Sequence, residues 1–173
     1  MIGLEEFHLA PIWEELGHTL HHERNHPEIR RWCRQTGLID DISQVNWYEW
    51  QSQDPNTRMY AIVADGEAVG VCGLTSIDHV TRRAEFSLYT FFNHQRKGYA
   101  RRALRLLFEH GFKDLNLHLI WGETFDGNPA LDLFSQMGMK VEGCRRDFYF
   151  KDGKYLDAFL LSIKEDEWKP QKS

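Results

Sequence analysis

An apolar segment that runs directly into a basic loop and an amphipathic helix is the feature that most limits how this chain can fold. The apolar segment covers residues 84–92, the loop covers 93–101, and helical spacing continues to Lys113. A strand leading through a tight loop into a helix gathers the free N–H groups of the first helical turn at one point, together with the positive end of the helix dipole. The sequence therefore predicts an anion-binding site where this helix begins.

Seven loop residues are candidates for binding a phosphate: Gln95, Arg96, Lys97, Gly98, Tyr99, Ala100 and Arg101. Gly98 lets a ligand approach the backbone, and the basic side chains, with Arg102, add positive charge. The pattern Gln-x-x-Gly-x-Ala is short, so an ordinary strand-to-helix turn with solvated basic residues stays an open alternative. The loop is not a P-loop or a dinucleotide fingerprint, because it lacks Gly-Lys-Ser/Thr and three spaced glycines.

Length and composition indicate one globular domain spanning residues 1–173. The chain has 173 residues, of which 42% are hydrophobic, and it includes six Trp and eleven Phe. Its formal net charge of −5 argues against a general nucleic-acid or anionic-membrane binder, since such proteins carry broad basic surfaces. The basic loop is therefore a local positive region in a chain whose net charge is negative.

The N-terminal residues lack a signal-peptide pattern, and no segment approaches the ~20 apolar residues of a membrane span. We therefore expect a cytoplasmic protein without a membrane partner. The three cysteines, Cys33, Cys72 and Cys144, are odd in number and widely spaced, which fits neither a disulfide framework nor paired zinc ligands. We expect reduced and mostly buried thiols.

The first half of the chain changes from helical to strand patterns. Residues 11–53 predict two or three short helices with breaks near Pro27 and Gly37. Residues 59–64 and 68–77 then predict a hairpin with Asp65 and Gly66 at its tip, and residues 84–92 add a third strand.

In the second half, a helix over residues 98–113 is followed by a strand over 117–125 and a short helix over 129–137. A long hairpin closes the chain, with strands over 141–150 and 155–163. This order of elements predicts an α+β fold, in which helices cover the faces of a mixed, mostly antiparallel sheet of about six or seven strands.

The order of elements and several short motifs resemble the GNAT superfamily of acetyl-CoA-dependent N-acetyltransferases, over roughly residues 24–163. The similarity is clearest to the branch holding ribosomal-protein N-terminal, spermidine and amino-sugar acetyltransferases. The motifs are Arg83-Ala84-Glu85-Phe86, Gln95-Arg96-Lys97-Gly98-Tyr99-Ala100, Leu115-Asn116-Leu117-His118, Asn128-Pro129-Ala130 and Asp152-Gly153-Lys154-Tyr155-Leu156-Asp157, with Arg24-Asn25-His26-Pro27-Glu28-Ile29-Arg30 earlier in the chain.

The resemblance implies a three-layer fold that binds acetyl-CoA as cosubstrate and needs no metal. The loop amides would hold the pyrophosphate, and Asn128 is a further coenzyme contact. The pantetheine would lie along the end of the third strand, beside Leu88, Tyr89, Thr90 and Phe91. The family fold also implies a splay between this strand and the next, which opens a slot for the thioester.

Three positions differ from the family pattern. Arg96 stands where relatives often have Gly, and the spacing of Asn128-Pro129-Ala130 is one residue shorter than Asn-x-x-Ala. Phe134 replaces the Tyr that commonly protonates the leaving thiolate. No general acid is assigned, and Tyr149, Tyr155 or solvent could serve.

Glu85 is the candidate general base, because an alkylamine with a pKa of ~10 must lose a proton before it attacks a thioester. The alternative is that Glu85 pairs with a nearby Arg or faces solvent. Backbone N–H groups near residues 88–90 are candidates to stabilise the oxyanion. Trp47, Trp50 and Trp121 either line the acceptor slot or belong to the core.

The sequence thus predicts an N-acetyltransferase that acts on a primary amine by direct attack in a ternary complex. A GNAT-like module that binds coenzyme A without catalysis is a second hypothesis. A third is a zinc metallohydrolase using His22-Glu23-x-x-His26, although Pro27 disfavours helix at His26. The acceptor, a small molecule or a peptide amine, and a possible homodimer are left open.

Overall fold

The computed structural model describes residues 1–4 and 6–169. The domain predicted over 1–173 thus includes residues 5 and 170–173, which lie outside the described part. The strands are β1 (Ile2–Leu4), β2 (Phe7–Pro11), β3 (Arg58–Ala64), β4 (Glu67–Asp78), β5 (Arg83–Thr90), β6 (Leu119–Phe125), β7 (Lys140–Lys151) and β8 (Lys154–Lys164). The helices are α1 (Glu14–Asn25), α2 (Pro27–Arg30), α3 (Asp41–Gln53), α4 (Tyr99–Lys113) and α5 (Ala130–Gln136), and a 3₁₀ turn spans Phe92–His94.

One open sheet carries all eight of these strands, in the order β1-β2-β3-β4-β5-β6-β8-β7. Neighbouring strands are antiparallel except for β5 and β6, which are parallel. The α+β class is confirmed, but the predicted count of six or seven strands is too low. Strands β1 and β2 were missed because they have only three and five residues, too few to show a clear alternation.

Helices cover both faces of the sheet, as the three-layer expectation requires. Helices α4 and α5 pack over the larger core, which includes Leu104, Leu107, Phe108 and Phe134. On the other face, α1 and α3 enclose a smaller core around Leu20 and Val71. The two cores bury the alternating apolar positions of the central strands on opposite sides.

Helix α4 begins one residue after the predicted start, and its apolar stripe is buried as predicted. Ala103, Leu104, Leu107 and Phe108 are all fully buried against the sheet. The third predicted strand ends at Thr90 rather than at residue 92, since the chain turns into the 3₁₀ segment there. Pro11 lies in β2, so the predicted helical region begins later than expected.

The closing hairpin places β7 at the sheet edge, where Phe148, Phe150 and Tyr155 are exposed. A homodimer through this hairpin stays a prediction. The three cysteines are free, but only Cys72 is buried, whereas Cys33 is partly exposed and Cys144 exposed, so the expectation of mostly buried thiols is wrong. Among the described residues, the helices are too short or too polar to span a bilayer.

Candidate active site

Strands β5 and β6 pair over only three positions and then separate. Their parallel register joins Arg83 to Leu119, Ala84 to Ile120 and Glu85 to Trp121. Beyond this point β5 follows β4 to Thr90, whereas β6 follows β8 to Phe125. We call the divergence of residues 86–90 from residues 122–125 the splay. It opens in the middle of the sheet, where the resemblance predicted a slot for the thioester.

The splay leaves backbone donors of β5 without a neighbouring strand. The N–H of Phe91 donates to the Val69 carbonyl at 2.9 Å, which fixes the alternation of the β4–β5 ladder. By that alternation, Leu88 and Thr90 direct their N–H groups away from β4 and towards the splay. These are the residues whose amides were predicted to contact pantetheine or an oxyanion.

The side chains of this segment pack into the two cores instead. Leu88 packs against the larger core, and Tyr89 and Phe91 belong to the smaller one. Burial raises the pKa of Tyr89, so its phenol keeps its proton. A ligand in the splay would therefore meet mainly the backbone of residues 88–91.

The loop before α4 contains two left-handed residues, Arg96 with φ of 61° and Gly98 with φ of 80°. The left-handed region costs an L-residue roughly 1–2 kcal/mol, which is why a glycine at position 96 would be favourable. Gly98 caps α4, and a Cβ added there would have no atom within 4 Å. The space over Gly98 is thus open to a ligand.

The first helical hydrogen bond of α4 runs from the N–H of Arg102 to the carbonyl of Gly98. The preceding N–H groups of Tyr99, Ala100 and Arg101 therefore have no acceptor within the helix. They face the loop together with the positive end of the helix dipole. This arrangement fits a pyrophosphate, which is the group the loop was predicted to bind.

The basic side chains of the loop differ in their surroundings. Arg96 and Lys97 are exposed beside the open space. The Arg101 guanidinium donates a hydrogen bond to the Gln136 side chain, and the Arg102 guanidinium lies 4.0 Å from the Phe7 ring centre. Arg96 and Lys97 are thus the cations best placed for a bound anion.

Asn128 makes local hydrogen bonds with both ends of its amide group. Its side-chain nitrogen donates to the Thr124 hydroxyl at 2.8 Å, and its oxygen accepts the Ala130 N–H at 3.0 Å. These contacts fix the turn from β6 into α5. A contact between Asn128 and the coenzyme stays a prediction.

Glu85 lies on β5 at the last position paired with β6, where the splay begins. Its side chain is 11% exposed, and its carboxylate forms a salt bridge with the Arg34 guanidinium at 2.7 Å. The alternative that Glu85 pairs with an arginine is therefore found in the structure. Burial raises the pKa of Glu85, and Arg34 opposes that rise.

A second carboxylate, Glu123, lies beside Glu85 on β6. Its side chain is 4% exposed, and its oxygens contact Arg34 at 3.4 Å and Arg145 at 3.2 Å. Glu123 also raises the pKa of Glu85, as a neighbouring negative charge should. We refer to Glu85 and Glu123 as the carboxylate pair. Sequence analysis missed Glu123, although a lone acid within the apolar segment 117–125 was a usable signal.

The two tyrosine candidates for a general acid have different surroundings in the structure. The Tyr149 hydroxyl donates a hydrogen bond to Glu123, so it lies at the carboxylate pair. Burial and Glu123 raise its pKa. Tyr155 is 65% exposed and packs against the Phe150 ring. Phe134 is buried edge-on against Phe86, with ring centres 5.0 Å apart.

Only one of the three tryptophans considered for the acceptor slot lies next to Glu85. Trp121 pairs with Glu85 across β5 and β6, and it lines an open cavity of about 400 Å³ together with Arg83 and Leu160. Trp47 packs in the smaller core, and Trp50 is 57% exposed on α3.

The His22-Glu23-x-x-His26 motif does not form a zinc-binding helix. Helix α1 ends at Asn25, and His26 has extended backbone angles and packs on the Phe92 ring. The Glu23 carboxylate accepts the Phe92 N–H at 3.2 Å. Because the two histidines do not share one continuous helix, the geometry that zinc binding requires is lacking. Within residues 1–4 and 6–169, no cluster of three His, Cys, Asp or Glu residues could hold a metal.

The segment between α2 and α3 carries Arg34 across the carboxylate pair. The Lys151 ammonium, on the hairpin, donates to the carbonyls of Arg30 and Cys33, both at 2.5 Å. Lys151 is buried, and burial lowers its pKa. Near the other end of the segment, the Asn25 side chain donates a hydrogen bond to the Ile39 carbonyl and accepts one from the Ile39 N–H. Between them, the Gln35 side chain accepts a hydrogen bond from Arg24 and donates one to Asn25, so the segment is held along its length.

Comparisons with known proteins agree with this geometry. Residues 7–140 match the Acetyltransferase (GNAT) domain. Spermidine N(1)-acetyltransferase of Escherichia coli K12 is 28% identical over 161 residues, which cover 92% of this chain and 87% of that protein. Uncharacterized N-acetyltransferase p20 of Bacillus licheniformis is 32% identical over 149 residues, which cover 82% of this chain and 83% of that protein.

A solved structure has the same fold. The spermidine N-acetyltransferase from Vibrio cholerae, crystallised in complex with CoA and spermine, superposes with a TM-score of 0.88. The alignment covers 95% of this chain and 98% of that one, at 23% sequence identity. The overall fold is thus one that a known acetyltransferase also adopts.

Proposed function

The chain belongs to the GNAT acetyltransferase family and is an acetyl-CoA-dependent N-acetyltransferase, from which we propose how its own residues carry out the transfer. We propose direct attack by a primary amine in a ternary complex, with Glu85 as general base. The observation that carries this proposal is the position of Glu85, a buried carboxylate at the point where β5 and β6 separate.

The loop of residues 95–101 holds the pyrophosphate in this proposal. The N–H groups of Tyr99, Ala100 and Arg101 and the side chains of Arg96 and Lys97 supply donors and charge. The open space over Gly98 supports the fit. The pantetheine arm lies along the backbone of residues 88–91, where Leu88 and Thr90 direct N–H groups to the splay.

Acetyl-CoA supplies the acetyl group as a thioester. Glu85 accepts a proton from the bound ammonium group and passes it to solvent, so that the amine nitrogen can attack. Attack forms the C–N bond and a tetrahedral oxyanion, which an N–H group of Leu88 or Thr90 stabilises. The C–S bond then breaks, and the nitrogen releases its second proton to solvent to give the neutral amide. A thiolate of ordinary pKa ~8.5 leaves without a dedicated acid and takes its proton from solvent.

We propose a small, cationic primary amine as the acceptor. The carboxylate pair would attract an ammonium group, and the net charge of −5 favours encounter with cations. The curated relative from Escherichia coli is named for spermidine, which makes that polyamine the first candidate.

A coupled assay for free CoA release tests the function with a panel of spermidine, tyramine, glucosamine and a peptide with a free N-terminus. We expect turnover of at least one small amine and no turnover without an amine. Tight acetyl-CoA binding with no turnover of any panel member would instead favour the non-catalytic module.

A further inference from the structure

A cation from the protein itself already occupies the carboxylate pair. The Arg34 guanidinium lies 2.7 Å from a Glu85 oxygen and 3.4 Å from a Glu123 oxygen, and it also interacts with the Tyr149 hydroxyl. Both carboxylates are nearly buried, but the Arg34 side chain is 52% exposed. The guanidinium thus enters from the solvent side and closes a site that faces outward.

The segment carrying Arg34 is built differently from the elements beneath it. Residues 31–40 contain no helix or strand, whereas Glu85 and Glu123 lie on central strands of the sheet. The segment is anchored on both sides of Arg34, by Lys151 at Arg30 and Cys33 and by the Gln35 side chain at Arg24 and Asn25. The backbone is thus held, and the half-exposed Arg34 side chain can rotate away without disturbing the sheet that positions the two carboxylates.

We propose that the Arg34 guanidinium is an intramolecular stand-in for the acceptor's ammonium group, and that the acceptor binds by displacing it. This inference rests on the proposed role of Glu85 as base. An amine that delivers its proton to Glu85 must lie within hydrogen-bond distance of that carboxylate, and Arg34 occupies this position.

The exchange preserves the charge of the site. Two nearly buried carboxylates without a cation would repel each other and bear the full cost of desolvation. Arg145 remains on Glu123, and one cation replaces another on Glu85. When an ammonium group displaces Arg34, the two carboxylates are therefore never left without a cation. The site also gains no third positive charge.

The same exchange explains how the product leaves. Acetylation converts the ammonium group into a neutral amide, which no longer pairs with a carboxylate. Arg34 then regains its position at Glu85 and expels the product. Arg34 would thus favour binding of a cationic nitrogen and release of the same nitrogen once it is a neutral amide, without contacting the reacting atoms.

Binding of methylguanidinium tests the inference without any assumption about the acceptor. In the Arg34→Ala variant the vacated position should bind this ion at least about tenfold more tightly than in the wild-type protein. NMR chemical-shift changes at the amides of Glu85 and Glu123 would locate the bound ion. Equal affinity in both proteins, or shifts confined to other residues, would overturn the proposal.

Two further variants serve as controls. Arg31→Ala removes the same charge from the same segment, but Arg31 pairs with Glu28, so binding should stay as in the wild type. Arg34→Lys keeps a cation at the position and should also exclude methylguanidinium. Tight binding to either control would contradict the proposal.

Steady-state kinetics give a second readout, with spermidine as the acceptor. Arg34→Ala should lower the KM for spermidine and strengthen inhibition by N-acetylspermidine, while the KM for acetyl-CoA stays unchanged. A higher spermidine KM would mean that Arg34 helps to bind the acceptor, and would refute displacement. If wild-type protein acetylates no amine, the proposed function fails, but the methylguanidinium result still decides the role of Arg34.

Discussion

Two nearly buried acids, Glu85 and Glu123, lie on neighbouring strands where the central strands separate, and both contact Arg34. Neither carboxylate is left unpaired, because arginines from two other parts of the chain contact them. Burial raises the pKa of Glu85 and so makes it a stronger base than an exposed carboxylate. The same burial makes the loss of a pairing cation costly.

Replacing Glu85 by Gln should remove the base but keep the shape of the side chain. We expect kcat to fall by roughly 10²-fold or more, with little change in the KM for acetyl-CoA. The base acts only when ionised, so wild-type kcat/KM should fall as pH drops through the raised pKa of Glu85. The variant should lack this acidic limb.

The matched control is Glu67→Gln, which removes an equal charge from an exposed position at the start of β4. It should retain wild-type turnover. Full activity of Glu85→Gln between pH 6 and 9 would show that another group, or solvent, takes the proton.

A pair of glycines separates backbone strain from ligand contact at the loop. Gly98 and Gly66 both have φ near 80° and open space where a side chain would begin, but Gly66 lies at the β3–β4 turn. Valine at either position should cost about 1–2 kcal/mol of stability. Only Gly98→Val should also raise the KM for acetyl-CoA, by about tenfold or more.

Urea unfolding and acetyl-CoA titration measure the two effects. Unchanged acetyl-CoA affinity in Gly98→Val would show that the coenzyme does not approach this loop. A similar loss of affinity in Gly66→Val would trace the effect to the strained backbone alone.

Glu85 was predictable from the sequence, but the residues that surround it were not. Glu85 lies within a recognisable motif. Glu123 and Arg34 are far from it in the sequence and come close to it only in the folded chain. Their proximity depends on a three-position parallel pairing and on an irregular segment, and neither leaves a periodic pattern. Such contacts arise from tertiary packing, which a single sequence does not encode locally.

At the level of elements, the strongly periodic parts of the chain were predictable. The apolar stripe of α4 and the Asp-Gly turn between β3 and β4 have clear physical signals. Strands β1 and β2 had none, because each is short and β2 ends in Pro11. The early end of β5 was also missed, since the aromatic residues that follow it continue the apolar run.

Lys151 ties the closing hairpin to the segment that carries Arg34. Lys151→Met should keep an unbranched side chain, one heavy atom shorter than lysine, but leave the carbonyls of Arg30 and Cys33 without this donor. We expect a loss of about 1–3 kcal/mol in the free energy of unfolding. Urea titration followed by tryptophan fluorescence would measure it.

The control for this change is Lys154→Met, at an exposed position across the hairpin turn. Its effect should stay within about 0.5 kcal/mol. If the two variants were equally stable, the buried ammonium would contribute nothing to holding the segment.

Over the whole molecule, the proposed pyrophosphate loop is a basic region on an acidic protein. The net charge of −5 attracts cations, while Arg96 and Lys97 provide a local exception. Charge of this kind acts on encounter rates, and salt screens it over a Debye length of about 10 Å at 0.1 M.

Salt should therefore affect acceptors according to their charge. Raising the ionic strength from about 20 to 200 mM should lower kcat/KM more for triply charged spermidine than for singly charged tyramine. Stopped-time assays at saturating acetyl-CoA would measure both. Equal salt dependence would show that the overall field does not steer the acceptor.

The splay is, in effect, a sheet edge turned inward. Exposed strand edges usually invite pairing with other chains and promote aggregation. Here the free amides of β5 lie inside the sheet, between β5 and β6, and helices cover both faces. If pantetheine lies along residues 88–91 as proposed, its own amide groups would pair with an edge that is not open to the surface as an outer strand is.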